Sequence, residues 1–219
     1  CSYEWARVRF TRDESFADAV REEFGRWFER GLLYRGTRVV NWDVKFQSAV
    51  SDIEVETKEV KGKLYHFRYP FADGSGHITI ATTRPETMLG DTAVAINEMD
   101  ARYLHLHGKT VMLPLMNREI PIILDPLADP QFGTGVVKVT PAHDPNDFEA
   151  GKRHNLAKIV VIDEEAKMTA NAGIYLGMDR FEARKKIVLE LDKLGLLDKI
   201  APHTLSVGKC QRCKTVVEP

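Results

Sequence analysis

The sequence predicts an α+β fold, mainly β: a β-barrel with helices packed around it, preceded by a helical N-terminal arm. Three observations carry that expectation. Short runs of β-branched and aromatic residues recur from about residue 58 to 196, punctuated by glycine, proline, asparagine and aspartate, and many short strands at that spacing point to a closed or nearly closed barrel. Phe16, Val20, Phe24, Trp27 and Phe28 recur at intervals of three and four, which lays them along one helix face. Phe181, Ile187, Val188, Leu191 and Leu194 make a second such face near the other end.

Taken in order, Thr11 and Glu14 have the spacing of a capping box for the first helix, and Gly31 is placed to stop it. Residues 39–43 and 51–56 read as short strands. Trp42 and the first helix face are expected to lack part of their partner and leave apolar surface exposed. Further strands are expected at 63–69, 77–81, 94–96, 109–114, 119–124, 136–139 and 159–162, with a hairpin turn at Asp73-Gly74-Ser75-Gly76 and a helical turn over 100–107. His105 and His107 read as surface residues rather than metal ligands. Asp179 and Glu182 offer a cap to the last helix, which Gly195 ends; Arg184, Lys185 and Lys186 form its solvated side. This gives a connecting segment at 1–57, a main body at 58–202 and a return segment at 203–219.

Composition narrows the function. With 31 Lys and Arg against 32 Asp and Glu, the formal charge of −1 excludes a broad field that would draw in phosphates, so any RNA contact must rest on local patches. No apolar run approaches the ~20 residues of a membrane helix. The three cysteines have no framework spacing and fit a reducing compartment, so a soluble, cytoplasmic protein is expected. Because it opens at Cys1 and stops at Pro219 just after a new element starts, the chain reads as cut from a longer polypeptide. Cys210-Gln211-Arg212-Cys213 has the spacing of half a zinc knuckle, which Cys1 and His203 could complete only if the termini meet; no metal is expected.

The densest chemistry lies at 132–149. Val136, Val137 and Val139 form a short strand between Gly135 and Pro141, with Lys138 and Thr140 on one face of it. The following loop carries His143, Asp144 and Asp147, held by Pro141 and Pro145, and Asp147 could cap a short helix through Arg153. One ammonium, two carboxylates, an imidazole and a hydroxyl thus converge on one strand end. Such a cluster can grip an amino acid by its amine and a side-chain hydroxyl. These residue types also suit an ordinary turn, in which the aspartates cap, Lys138 snorkels and His143 is a satisfied loop residue.

A second stretch, Thr82-Thr83-Arg84-Pro85-Glu86-Thr87-Met88-Leu89-Gly90-Asp91-Thr92, follows an alternating strand. Together with Gly133-Thr134-Gly135 through Asp147, it resembles the hydrolytic editing insertion of class I aminoacyl-tRNA synthetases, and it is most similar to the valyl branch. The isoleucyl pattern would carry Pro-Trp after the threonines, and the leucyl pattern a methionine at Lys138. The resemblance covers nearly the whole chain.

It implies that 58–202 is an editing domain, 1–57 the passage from a catalytic domain, and the partner the acceptor end of tRNA(Val) carrying threonine, together with the rest of a synthetase. An apolar valine pocket rejects the isosteric threonine only weakly, and valyl-tRNA synthetase is itself the standard instance of that limit; a second, hydrolytic site is the remedy. That second site must reward the hydroxyl with hydrogen bonds that valine leaves unpaired. By resemblance, Asp147 holds the substrate α-ammonium, Lys138 and Asp144 read the γ-hydroxyl, and Thr83 lies with Thr82 and Arg84 beside the ester and terminal adenosine. Phe132 packs on that adenosine, and Thr140 and His143 complete the wall. No Ser-His-Asp or Cys-His arrangement is evident, which leaves direct attack by a positioned water and no cofactor. The ATP-site signatures His-x-Gly-His and Lys-Met-Ser-Lys-Ser do not occur, so these residues are not expected to charge tRNA. The rival readings are a non-hydrolytic acceptor-end docking module, isoleucyl-type editing, and a small zinc-ribbon protein that would explain only 208–215.

Overall fold

The computed structural model describes residues 4–219, so Cys1 lies outside the described residues. The chain divides into two compact units, Cys1–Arg38 and Val39–Pro219. The first holds helix α1 (Glu14–Glu29). Its N-cap is Asp13 rather than the expected Thr11, and Asp13 Oδ2 accepts the Phe10 N–H at 3.0 Å. Gly31 ends the helix as expected: at φ +69° it lets its own N–H reach Phe28 O at 2.9 Å and that of Leu32 reach Trp27 O at 2.9 Å, a paired closure of the last turn. No residue of α1 is buried, and its aromatic face is exposed.

The second unit is mainly β, with strands β1 (Asn41–Asp43), β2 (Ser48–Val50), β3 (Val55–Pro70), β4 (His77–Thr82), β5 (Ala93–Ile96), β6 (Thr110–Leu113), β7 (Arg118–Leu124), β8 (Val136–Val139) and β9 (Leu197–Cys210). Two helices join them, α2 (Pro145–Arg153) and α3 (Arg180–Lys193). β1 and β2 form a hairpin. The other strands form a three-stranded sheet in the order β4-β3-β9 and a four-stranded one in the order β6-β7-β5-β8. Every pair is antiparallel except β5 with β7.

The α+β, mainly β class is as predicted, but the sheets do not close into a barrel. At one seam a single bridge, Phe71 with Val111, ties the end of β3 to β6. At the other, the edge strands β4 and β8 separate, and the space between them is lined by Thr82, Thr83, Lys138 and Thr140. Polar side chains and a cavity lie where a closing ladder would run.

Between the sheets Phe67, Tyr69, Ile80, Met88, Ile96, Leu113 and Ile122 pack with no more than 1% of their surface exposed, joined by Ile187 and Leu191 from α3. Phe181 and Leu194, expected on that inner face, are 40% and 59% exposed, so the buried stripe of α3 is narrower than predicted. The expected strand at 159–162 is not a ladder strand. Only Ile162 makes a bridge, to Met168, because the Val161 N–H is taken by a side chain described below. The 51–56 segment is likewise split. Ser51 caps a 3-10 turn over Asp52–Glu54, and the long strand β3 begins at Val55. Within 100–107 the helical turn is confined to Leu104–Leu106. No helix among the described residues is long and apolar enough to cross a membrane.

Candidate functional site

Three local structures build the site. β4 delivers Thr82 and Thr83, after which Pro85 opens a 3-10 helix, Pro85–Gly90, whose six residues are all buried. Gly90 lets this turn pass under the 159–162 segment, since a Cβ there would sit 2.8 Å from Ile159 O. β8 delivers Lys138, and Thr140 follows it. The turn before β8 needs Gly133 at φ +59°, where a Cβ would lie 2.9 Å from that of Ala81. α2 then begins at Pro145. Asp144, not Asp147, is its cap: Asp144 Oδ1 accepts the N–H groups of Asn146 at 2.8 Å and Asp147 at 3.1 Å. Asp147 is thereby freed from capping and turned inward, 6% exposed.

All nine site residues predicted from the sequence, Thr82, Thr83, Arg84, Phe132, Lys138, Thr140, His143, Asp144 and Asp147, line one cavity of about 270 Å³. On its floor the Lys138 ammonium donates to Thr140 Oγ1 at 2.6 Å and lies 3.5 Å from Asp91 Oδ1. Asp147 Oδ2 accepts the Thr140 N–H at 2.8 Å. Burial pushes the Asp147 carboxyl up to about 6, with the nearby Asp144 and Asp91 charges adding to the rise and Lys138 opposing it.

His143 lines the cavity and also braces its wall. Its Nε2 accepts the Val161 N–H at 2.8 Å, and burial, aided by the charges of Arg84 and Lys138, lowers it to about 3. The neutral ring pins the 159–162 segment to the cavity wall. Arg84 is likewise engaged: its guanidinium donates to Glu86, to Glu218 and to the carbonyl of His143. Glu86 is fully buried and also receives both arms of Arg184 at 2.7 Å. Phe132, 47% exposed at the rim, meets the His203 ring edge-on at 5.6 Å.

The motif reading assigned no role to Asp91, Tyr69, Glu86 or Glu218. Asp91 and Glu86 stand inside the quoted threonine-rich stretch, but nothing in their spacing shows that one reaches β8 and the other α3. Tyr69 and Glu218 carry no sequence signal at all.

His203, which could have completed a zinc site with the cysteines, packs against Phe132 and is not grouped with Cys210 and Cys213. Cys210 and Cys213 instead meet Asp43, with ligand atoms within 4.8 Å of one another. Two thiols and a carboxylate suit zinc chemically, yet they also satisfy one another: Cys213 Sγ donates to Asp43 Oδ2 at 2.9 Å.

The family model for tRNA synthetases class I (I, L, M and V) matches residues 1–201. Curated relatives include the valine–tRNA ligases of Solibacter usitatus, 64% identical over 219 residues, and Bacillus subtilis, 58% identical over 216. These alignments cover 100% and 99% of this chain but 26% and 24% of the relatives, so the chain spans about a quarter of the length of the proteins it matches. Among solved structures, the ternary complex of Agrobacterium radiobacter K84 agnB2 LeuRS with tRNA and LeuAMS aligns with a TM-score of 0.52 at 17% identity, over 93% of this chain and 34% of that one, a likeness of fold. The chain belongs to the class I tRNA synthetases.

Proposed function

We propose that the cavity between β4 and β8 is the editing site of a valine–tRNA ligase, hydrolysing the ester of threonine mischarged onto tRNA(Val). The observation that carries this reading is the convergence of all nine motif residues on one small cavity, with an ammonium on the hydroxyl and a carboxylate on the backbone N–H of a shared threonine. A volume of about 270 Å³ lies at the lower edge of small-molecule sites, which suits an aminoacyl group entered by the end of a nucleic acid.

In this reading Asp147 pairs with the substrate α-ammonium, and Lys138 and Asp144 meet the γ-hydroxyl. Thr82, Thr83 and Arg84 flank the ester and the terminal ribose, and Phe132 offers a ring to the adenine. His143 is no general base, because its accepting nitrogen already holds the Val161 N–H. A water oriented by the polar wall attacks the ester carbonyl, helped by a ribose hydroxyl of the tRNA.

The chain should therefore hydrolyse threonyl-tRNA(Val) faster than valyl-tRNA(Val) when the two are followed side by side, and equal or absent hydrolysis of both would refute a self-sufficient site. Lys138→Ala should erode that preference by about 5- to 150-fold, the range for leaving a buried hydrogen-bonding group unmatched. Unchanged selectivity would remove Lys138 from hydroxyl reading.

A further inference from the structure

We propose that Asp91 and Tyr69, neither of which lines the cavity, are positioning residues that fix the hydrogen-bond polarity of the Lys138–Thr140 floor and so set the site's preference for a hydroxylated side chain. The inference rests on the editing function proposed above and names what enforces its specificity.

Asp91 is fully buried, and so is Tyr69. Tyr69 donates its phenolic hydrogen to Asp91 Oδ2 at 2.8 Å, and Thr140 Oγ1 lies 2.6 Å from Asp91 Oδ1. Arg118 anchors the backbone beneath, donating to the carbonyls of Leu89 and Asp91 at 2.9 Å each. A packed core gains little from such a carboxylate, since a buried charge costs more than an apolar group of the same shape. Its presence is explained by what it touches.

A threonine hydroxyl has one hydrogen to give, and an ionised carboxylate can only accept. Burial raises the Asp91 carboxyl, and the Lys138 charge with the hydrogen bonds from Thr140 and Tyr69 opposes that rise. In the ionised form the Thr140 hydrogen is committed to Asp91, and the Thr140 oxygen faces Lys138 as an acceptor. Lys138 has three hydrogens: one meets Thr140, one points toward Asp91 at 3.5 Å, and the third is left for the cavity. An ammonium can only donate, so what Asp91 and Thr140 fix is its position, and its remaining hydrogen is held toward whatever enters. A ligand hydroxyl can accept from it, whereas a methyl group in the same place leaves it buried and unpaired. An amide at position 91 would break this order, because its NH₂ can donate to Thr140 and release the threonine hydrogen, while Lys138 loses its counter-charge.

The test uses 3′-threonylamino- and 3′-valylamino-3′-deoxyadenosine, amide analogues that cannot be hydrolysed, and measures their binding to the chain by calorimetry. Wild type should favour the threonyl analogue. Asp91→Asn should cut the threonyl-to-valyl ratio at least tenfold. Tyr69→Phe, which deletes only the hydroxyl behind Asp91, should cut it several-fold without altering the cavity lining. The double variant should behave as Asp91→Asn alone, since both act through one carboxylate. A discriminating wild type whose folded variants discriminate equally well would overturn the positioning role and leave the editing function standing. A wild type that binds both analogues alike would overturn the editing function and this inference with it. Should Asp91→Asn not fold, Tyr69→Phe decides alone.

Discussion

Asp147→Asn is expected to reduce threonyl-tRNA deacylation by at least about 100-fold while leaving the protein as stable as wild type or more so. The activity loss follows from charge. An ion pair with the substrate ammonium needs the carboxylate, and about 2.7 kcal/mol of lost transition-state binding corresponds to two orders of magnitude. The stability gain follows from the carboxyl's elevated value of about 6. A folded-state pKa above the unfolded one means that ionisation disfavours the folded state, so stability falls as pH rises from about 4 through 6. At about 1.4 kcal/mol per pH unit of displacement, the penalty above pH 6 is at most about 3 kcal/mol, and asparagine, which still accepts the Thr140 N–H, escapes it. Denaturant melts should thus favour the variant at pH 8 and converge below pH 4. Wild-type deacylation should rise about tenfold per unit up to pH 6 and level off above it. Full activity in the variant would refute the role given to Asp147.

Glu86→Gln should cost far more stability. Burial opposes ionisation of Glu86, yet the hydrogen bonds from Arg184 and the charge of Arg84 hold its carboxyl below the ordinary range. Removing one partner of a buried ion pair costs about 3–5 kcal/mol, because the remaining charges are left uncompensated. In a domain of this size that lowers the melting temperature by roughly 6–20 °C. The depressed value fixes the pH window: the contribution of Glu86 is present above the unfolded carboxyl value of about 4.3 and disappears as pH falls through the lower folded value. Melting curves of wild type and variant should be well separated at pH 7 and draw together in acid. A shift of less than 2 °C at pH 7 would show that the two arginines find other partners.

The sequence exposed the site better than the frame around it. Threonines, Lys138 and the aspartates lie in two contiguous stretches, and turn chemistry at Gly133, Pro141 and Pro145 placed them at strand ends. The exchange of caps between Asp147 and Asp144 was not legible, because both stand at the start of the same short helix, one before its first residue and one in its first turn, and only three-dimensional packing decides which faces inward. Barrel closure was also beyond strand spacing, which counts strands but does not tell whether two edges meet. The 159–162 run shows the same limit: four apolar residues read as a ladder strand, but His143, eighteen residues before Val161, takes the N–H that a neighbour would have needed. Pairings such as Tyr69 with Asp91 and Arg184 with Glu86 join distant elements and leave no periodic trace.

The β3–β9 ribbon has a practical use. Thirteen register pairs run from Val55 with Cys210 to Phe67 with Leu197, so the chain departs along one rail and comes back along the other. At the outer end the two backbones lie about 5 Å apart, the spacing of any antiparallel pair, and a tight turn could bridge Thr57 and Gly208. The span beyond that point hangs on a two-rail stem, and the buried pairs of Arg84 and Arg180 with Glu218 tie it to the return segment as well. Excising 58–207 would leave a short hairpin behind, and a transplant matched in register would have to carry Glu218 along with the stem to keep the partner of Arg84.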